Sequence, residues 1–216
     1  MSIIQQYFLF IILFIIRAQR YNYFKLQQGK VKNFLQKSHV DKKLYLCISC
    51  LCTIKMANKV KIYLDTSVIS CLHVPETPER MADTLRLWRD LEAGIYDVVI
   101  SDITIGEIND CPEPKRSFML NELKKIPLIV IEAEKKVEEL SQEFIRLGVL
   151  KEKHIDDCMH IATALLAQCD VIVSWNFKHI VNDKTIEGVK IISKTKGFDG
   201  IKIYCPSILI GGNDEH

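Results

Sequence analysis

The stretch from residue 154 to residue 179 constrains the fold of this chain more than any other part. It begins with two acids, Asp156 and Asp157, and continues into small and apolar residues that suit a tightly packed helix. The β-branched run Val171-Ile172-Val173 then predicts a short buried strand, which ends at the polar cluster Ser174-Trp175-Asn176. In an open parallel α/β sheet, such a helix start and strand end can meet outside the carboxyl ends of the strands, where ligands bind.

Strands and helices alternate along the rest of the chain. The apolar patterns predict further strands at residues 60–64, 96–100, 128–131 and 201–204, and helices at 77–93, 101–111, 115–125, 133–147 and 185–196. Residues 189–192 have the composition of a strand as well as that of a helix. This alternation predicts a three-layer α/β/α sandwich around a mainly parallel sheet of four to five strands.

The first 55 residues differ in charge from the rest of the chain. They hold nine basic residues and one acid, whereas residues 56–216 hold 20 basic and 26 acidic residues, so the formal charges are +8 and −6. We expect residues 1–55 to be an inert extension or a misassigned translation start, with a membrane-surface anchor or a structured segment as alternatives. Residues 56–216 are expected to form the functional domain.

Membrane association is not expected. The apolar run at residues 7–16 is too short to span a bilayer, which needs about 20 residues, and it lacks the basic start and cleavage site of a signal peptide. Cys47, Cys50 and Cys52 cluster in the extension, but no second Cys or Cys/His pair stands at zinc-ligand spacing. The eight cysteines are therefore read as free thiols in a reducing compartment. Both observations favour a cytoplasmic protein.

Three acids lie where a strand ends or a helix begins. Asp65 follows the first strand, Glu107 lies one turn into the helix after the second strand, and Asp157 lies at the start of the helix before the fourth. Carboxylates that converge repel each other and have raised pKa values unless a cation lies between them. Oxygen ligands with open water positions suit Mg²⁺ or Mn²⁺, which can activate a water molecule against a phosphodiester.

Each of these polar residues has a structural alternative. Asp65 could cap the next helix, Glu107 could be a solvated helix residue, and one of Asp156 and Asp157 is expected to be an N-cap. Asn176 could form a turn. Two aromatic side chains later in the pattern, His160 and Trp175, are expected to pack or form hydrogen bonds in the core, although an indole can also stack on an RNA base.

The order of these motifs resembles that of the PIN domain, and in particular of the VapC-type ribonuclease toxins of type II toxin–antitoxin pairs. The motifs are Asp65-Thr66-Ser67 after a strand, Ser101 to Glu107, Asp157-Cys-Met-His-Ile-Ala-Thr-Ala, and Val171-Ile-Val-Ser-Trp-Asn-Phe-Lys-His. The resemblance covers residues 59 to 209. It implies a metal-dependent endoribonuclease in which Asp65, Glu107 and Asp157 are the catalytic and metal-binding acids.

The resemblance also implies auxiliary roles. The Thr66 hydroxyl is expected to position Asp65 or a metal-bound water, and Asp156 to neighbour the primary ligand. Asn176 stands where the family often has a fourth acid, which makes a second metal ion doubtful. Lys178 and His179, just beyond the strand end, are candidate RNA contacts, with a solvated loop as the alternative.

The partners implied by the resemblance are an RNA substrate, a cognate antitoxin and a second copy of the chain. Apolar residues in the helices near 81–91 and 113–125 are candidates for the protein contacts. A domain with a charge of −6 is not a general nucleic-acid binder, so a local basic strip is expected near the acids. The candidates for that strip are Lys115, Arg116, Lys151, Lys153 and Lys178.

Two other functions are compatible with the sequence. The strand followed by Asp65 and Thr66 also resembles the nucleophile motif of haloacid-dehalogenase-type phosphatases, but Ser67 stands where that family has a second Asp. A non-catalytic PIN fold that binds RNA or a partner is the other alternative, with Asn176 as the mark of lost activity.

Overall fold

The computed structural model describes residues 59–211. The expectations for residues 1–55 lie outside this range and stay predictions. Between residues 59 and 211, no helix combines the length and the apolar character needed to cross a membrane.

Five parallel strands form one sheet. They are β1 (Lys61–Leu64), β2 (Asp97–Ser101), β3 (Leu128–Ile131), β4 (Val171–Val173) and β5 (Lys202–Tyr204). Their order is β3-β2-β1-β4-β5, and every neighbouring pair is parallel. In the central strand, Tyr63 is in register with Val99 of β2 and with Ile172 of β4. The predicted parallel sheet is confirmed, with five strands.

Helices connect the strands. They are α1 (Thr66–Ser70), α2 (Pro78–Glu92), α3 (Asp102–Asn109), α4 (Lys115–Leu123), α5 (Lys135–Arg146), α6 (Ile155–Leu166), α7 (Asp183–Lys196) and α8 (Pro206–Gly211). Short 3₁₀ helices lie at Cys71–His73 and Glu152–His154. The helix starts follow local sequence chemistry. The Ser101 hydroxyl, for example, caps α3 by accepting the N–H of Thr104 at 3.3 Å.

Buried side chains cover both faces of the sheet. Ile62 and Leu64 point into one apolar cluster, which includes residues of α2 and α4. Tyr63, between them in sequence, points into the other, which includes residues of α5, α6 and α7. This alternation follows from the two-residue period of a strand. The two clusters therefore place helices on opposite faces, and the predicted three-layer α/β/α sandwich is confirmed.

The direction in which the sheet is built reverses between β1 and β4. β2 and β3 lie on one side of β1, whereas β4 and β5 lie on the other. Such a reversal opens a crevice at the carboxyl ends of the two strands. Asp65 directly follows β1, and its backbone N–H donates to the carbonyl of Val173, the last residue of β4. Polar residues that follow these two strands therefore meet in the crevice.

Three local details differ from the sequence-based expectations or decide between them. Neither Asp156 nor Asp157 is an N-cap, because α6 already begins at Ile155 and the cap position is His154. Residues 189–192, for which a strand was an alternative, lie inside α7. The sequence also gave no indication of α8, a six-residue helix that begins at Pro206 directly after β5.

Gly188 lets α7 pack closely against the segment that follows α5. A Cβ atom at this position would lie 2.6 and 2.7 Å from the two methyl carbons of Val149, whose side chain is buried. Because valine is stiff at χ1, Gly188→Ala is expected to destabilise the fold by about 1 kcal/mol. This is the net value after the gain in helix propensity, and urea unfolding measures it.

Gly106 in α3 provides the matched control. Nothing lies within 4 Å of a Cβ added there, so Gly106→Ala is expected to raise the free energy of unfolding by up to about 1 kcal/mol. Equal stabilisation by both substitutions would show that the packing of Val149 against α7 is not tight.

Candidate active site

Asp65 is a buried carboxylate at the end of β1, with 5% of its surface exposed. Ser174, at the end of β4, donates its hydroxyl to Oδ2 of Asp65 at 2.7 Å, and Ser67 donates to the same oxygen. The residue occupies the N-cap position of α1, yet its side chain makes no capping hydrogen bond. Helix capping therefore does not explain this acid, and both of its hydroxyl donors orient it into the crevice.

Glu107 approaches the crevice from α3. Its Oε2 accepts the hydroxyl of Thr66 and lies 3.2 Å from Nε2 of His160. The resemblance implied that Thr66 positions Asp65 or a water molecule, but in the structure its hydroxyl holds Glu107. The hydroxyls that hold Asp65 belong instead to Ser67 and Ser174.

His160 is a buried histidine between these two acids, with 1% of its surface exposed. Its Nε2 lies 3.8 Å from Oδ1 of Asp65 as well as 3.2 Å from Glu107. On the other side of the ring, Nδ1 lies 2.7 Å from the hydroxyl of Tyr63, which lies 2.7 Å from the hydroxyl of Ser101. The expectation of a hydrogen-bonded core histidine is correct, but it missed the contacts with the acids.

Charge interactions in this group outweigh the effect of burial. Burial alone lowers the pKa of His160, but the hydrogen bond to Glu107 and the charges of Asp65, Glu107 and Asp157 raise that pKa above its usual value. Burial raises the pKa of Glu107, but the contacts with His160 and Thr66 bring it below its usual value. A protonated His160 next to an ionised Glu107 is the arrangement that both shifts favour.

Asp157 lies in the first turn of α6, three residues before His160 and hence on the same side of the helix. Its Oδ1 accepts a hydrogen bond of 2.6 Å from Nδ2 of Asn176. The Oδ1 of Asn176 accepts the backbone N–H of His179 at 3.1 Å. Asn176 thus shapes the turn after β4 and holds Asp157 with the same amide, while the neighbouring Asp156 is exposed.

The environment of Asp157 contains uncompensated negative charge. Burial, followed by the charges of Asp65, Glu107 and Asp156, raises the pKa of Asp157 to about 6, although the His160 charge acts in the opposite direction. Within residues 59–211, no lysine or arginine forms an ion pair with Asp65, Glu107 or Asp157. Ligand atoms of Asp65, Glu107 and His160 all lie within 4.8 Å of one another. The carboxylates of Asp65 and Glu107 fit a divalent cation, whose charge would relieve the repulsion. Asp157 is not in this group, and its ligand atoms lie within 4.8 Å of those of His154 and His179 instead.

The remaining candidates lie at different places around the crevice. Trp175 is buried and donates its Nε1–H to Thr84 at 2.8 Å, which agrees with its interpretation as a core residue. The exposed aromatic ring is instead that of Phe177, with the guanidinium of Arg80 5.2 Å from its centroid. Of the candidate basic residues, Arg116 is paired with Glu113 at 2.8 Å.

Sequence reasoning missed the roles of Ser67, Ser174 and His160 in holding the acids. Each of the three residues has a sequence feature that could have indicated its role. Ser67 and Ser174 belong to polar runs that directly follow two buried strands, and His160 is one helical turn beyond Asp157. The adjacency of β1 and β4, which brings the two serines together, was not visible in the sequence.

A parallel sheet whose central strands end in a crevice with three carboxylates from separate segments defines an α/β protein with an acidic centre. The PIN domain family model matches residues 62–178, more than half of the chain. The chain belongs to the PIN domain family.

Several solved structures are similar to this chain at low identity. The first is the Mycobacterium tuberculosis toxin VapC20, described as cleaving the sarcin–ricin loop, with 16% identity, a TM-score of 0.44, and coverage of 65% of this chain and 98% of that one. DNA-bound VapBC from Salmonella typhimurium has 18% identity and a TM-score of 0.41, and the match covers 68% of this chain and 98% of that one. VapBC2 from Rickettsia felis, bound to promoter DNA, has 16% identity and a TM-score of 0.42, and the match covers 67% of this chain and 97% of that one. No curated protein sequence matches, and the family assignment rests on the PIN match.

Proposed function

We propose that this protein is a metal-dependent endoribonuclease that hydrolyses phosphodiester bonds in single-stranded or looped RNA, and that it is the toxin of a toxin–antitoxin pair. One observation carries the nuclease proposal. In this PIN domain, Asp65 and Glu107 have ligand atoms within 4.8 Å of each other, and burial and the charges of these two acids raise the pKa of the nearby Asp157 to about 6. Such a group of carboxylates is suited to a divalent cation.

Asp65, Glu107 and Asp157 are the residues that would hold Mg²⁺ or Mn²⁺. When bound, such an ion lowers the pKa of a water molecule and stabilises charge on the phosphodiester. Hydrogen bonds from neighbouring side chains fix the direction of each carboxylate, and such supporting contacts are commonly worth about 10- to 100-fold in metal affinity or activity. The supporting residues are Ser67 and Ser174 for Asp65, Thr66 and His160 for Glu107, and Asn176 for Asp157.

Asn176 favours one metal ion over two. The amide nitrogen of Asn176 is bonded to Asp157 and its oxygen to the N–H of His179. It also adds no charge at the place where the family often has a fourth acid. We therefore expect a single cation, held on the side of the crevice that Asp65, Glu107 and Asp157 share.

The purified full chain is expected to cut a labelled single-stranded RNA in the presence of Mg²⁺ or Mn²⁺, because the acids then share a compensating charge. Cleavage is expected to stop on addition of EDTA and to return with excess Mn²⁺. Gel analysis of the products, together with Mn²⁺ titration by calorimetry, measures both effects. RNA binding without cleavage and without Mn²⁺ binding would favour the non-catalytic alternative.

The antitoxin and the homodimer belong to the same proposal. An apolar depression of about 370 Å³ lies beside α4 and β3, and α4 falls within the segment 113–125 that the sequence suggested for protein contacts. Its lining consists of Ile100, Ile105, Leu120, Leu123, Lys124, Leu128 and Val130. An apolar surface of this kind suits the non-polar face of a partner helix.

A further inference from the structure

A basic pocket of about 320 Å³ lies beside the acidic crevice. Its walls come from the segment before α6, from the turn after β4 and from the start of α7. The lining residues are Val149, Leu150, Lys151, Lys153, His154, Lys178, His179, Asn182, Lys184 and Thr185. Four of the ten are lysines and none is acidic, so this pocket is a concentration of positive charge in a domain with a net charge of −6.

The side chains of the four lysines are exposed to solvent. Among residues 59–211, none of the four forms an ion pair within 4.0 Å, whereas other lysines do so, such as Lys125 with Glu122 and Lys196 with Glu143. A group of exposed cations without acidic partners attracts anions, and the attraction falls as salt rises.

The pocket shares a wall with the acidic crevice. Nδ1 of His154 lies 3.6 Å from Oδ2 of Asp157, and the backbone N–H of His179 donates to Asn176, which in turn holds Asp157. A polyanionic chain that lies with one phosphate at the acids can therefore place a neighbouring phosphate in the pocket.

A cation is the less suitable occupant. Ligand atoms of His154, Asp157 and His179 lie within 4.8 Å of one another, which on its own resembles a metal site. However, the two imidazole rings are stacked, with centroids 3.7 Å apart and an angle of 29° between the planes. Nearly parallel rings do not direct their nitrogen lone pairs at one point, and the surrounding lysines repel a cation.

We propose that this pocket binds a backbone phosphate of the RNA strand, close to the bond at the acidic crevice, through Lys151, Lys153, Lys178 and Lys184. The proposal rests on the proposed ribonuclease function and adds the direction in which the substrate leaves the crevice. Such contacts position the strand and are independent of base sequence.

The direct test is RNA binding by the full chain in EDTA, where no cleavage takes place. Fluorescence anisotropy with a labelled single-stranded RNA, over a series of KCl concentrations, gives the affinity and its salt dependence. Lys153→Gln/Lys178→Gln is expected to weaken binding roughly tenfold and to reduce the salt slope by about 1.4, or about 0.7 per lost contact. Circular dichroism and the urea midpoint verify that the variant is folded.

The matched control is Lys194→Gln/Lys202→Gln. Both lysines are exposed and neither lines the pocket, since they lie in the last turn of α7 and at the start of β5. The control is expected to bind RNA with the wild-type salt slope. Equal slopes for the two double variants would overturn the proposal.

A cleavage assay in Mn²⁺ separates failure of this proposal from failure of the proposed function. The pocket variant is expected to raise KM roughly tenfold with little change in kcat. A wild-type chain that binds RNA through the pocket but never cuts it would refute the nuclease and support the phosphate site. If His154→Gln/His179→Gln abolishes Zn²⁺ binding while the lysine variant leaves RNA binding unchanged, the pocket is a cation site and the proposal is wrong.

Discussion

Asp157→Asn is expected to reduce RNA cleavage by about 10³-fold and, at the same time, to stabilise the metal-free protein. The loss of activity follows because one of three carboxylates that would hold the cation becomes neutral. The gain in stability follows because burial and the charges of Asp65, Glu107 and Asp156 make the charged form of Asp157 unfavourable and raise its pKa to about 6. Asparagine has the same shape, and its oxygen can still accept the hydrogen bond from Asn176.

The sign of the stability effect depends on pH. The pKa of Asp157 in the folded protein is about 6, whereas in an unfolded chain it is about 3.9. The folded state therefore holds this proton more tightly, and the associated stability is fully present below about pH 4 and lost as pH rises through about 6. Because the side chain is partly exposed to water, we expect a difference between variant and wild type of about 1–2 kcal/mol above pH 7.

Urea unfolding in EDTA at about pH 4, 6 and 7.5 measures this profile, and a gel assay in Mn²⁺ measures cleavage. Asp199→Asn, at an exposed acid near the end of α7, is the control for a general change in net charge. The stability gain of Asp157→Asn should nearly vanish at pH 4. A gain that is the same at all three pH values, or wild-type cleavage by the variant, would contradict the assignment of Asp157.

The unfolding free energies of wild type and Asp157→Asn in the presence of Mn²⁺ provide a second test of the same assignment. A cation that binds only the folded wild type raises its stability by RT ln(1 + [L]/Kd), or about 2.7 kcal/mol at 100 times the Kd. Asp157→Asn should lose most of that increase, so that Mn²⁺ reverses the order of stability of the two proteins.

The position of the acidic centre was predictable because parallel strands bring their carboxyl ends to one edge of a sheet. Asp65 and Asp157 are placed by that rule and by the alternation of strands and helices, without knowledge of strand order. The rule does not extend to the supporting hydroxyls. Whether Thr66 or Ser67 holds Asp65 depends on rotamers in a single turn, and the contribution of Ser174 depends on β4 lying next to β1.

Local rules failed where tertiary contacts decide the geometry. An Asp near the start of a helix is most often a cap, but the 3₁₀ helix Glu152–His154 starts α6 earlier and places both acids inside its first turn. The basic pocket depends in the same way on long-range contacts. Lys151 and Lys184 are more than thirty residues apart, and only the packing of α7 beside the segment before α6 brings them together.

His160→Leu is expected to lower the free energy of unfolding of the metal-free protein by about 2–4 kcal/mol. Leucine fills a similar volume but provides neither the charge next to Asp65 and Glu107 nor the hydrogen bond to the Tyr63 hydroxyl. Removing one partner of a buried charged group leaves the others uncompensated, and this accounts for the size of the effect. Urea unfolding in EDTA at neutral pH measures it.

Thr163→Val is the control on the same helix. Thr163 is buried, and within the described part of the chain its hydroxyl has no hydrogen-bond partner, so its replacement is expected to change stability by less than about 1 kcal/mol. The charge interaction itself is isolated by a double-mutant cycle. Glu107→Gln and His160→Leu together should cost about 1–3 kcal/mol less than the sum of the two separate effects. Additive effects would show that His160 acts through packing alone.

Mn²⁺ distinguishes the two roles of His160 further. If the protonated ring compensates Asp65 and Glu107, a cation held by the same carboxylates performs the same electrostatic task. Saturating Mn²⁺ should then recover part of the stability lost in His160→Leu, although cleavage stays low because Glu107 has lost a contact that orients it. A histidine that only fills space would give a stability loss that Mn²⁺ leaves unchanged, since the cation cannot replace missing packing.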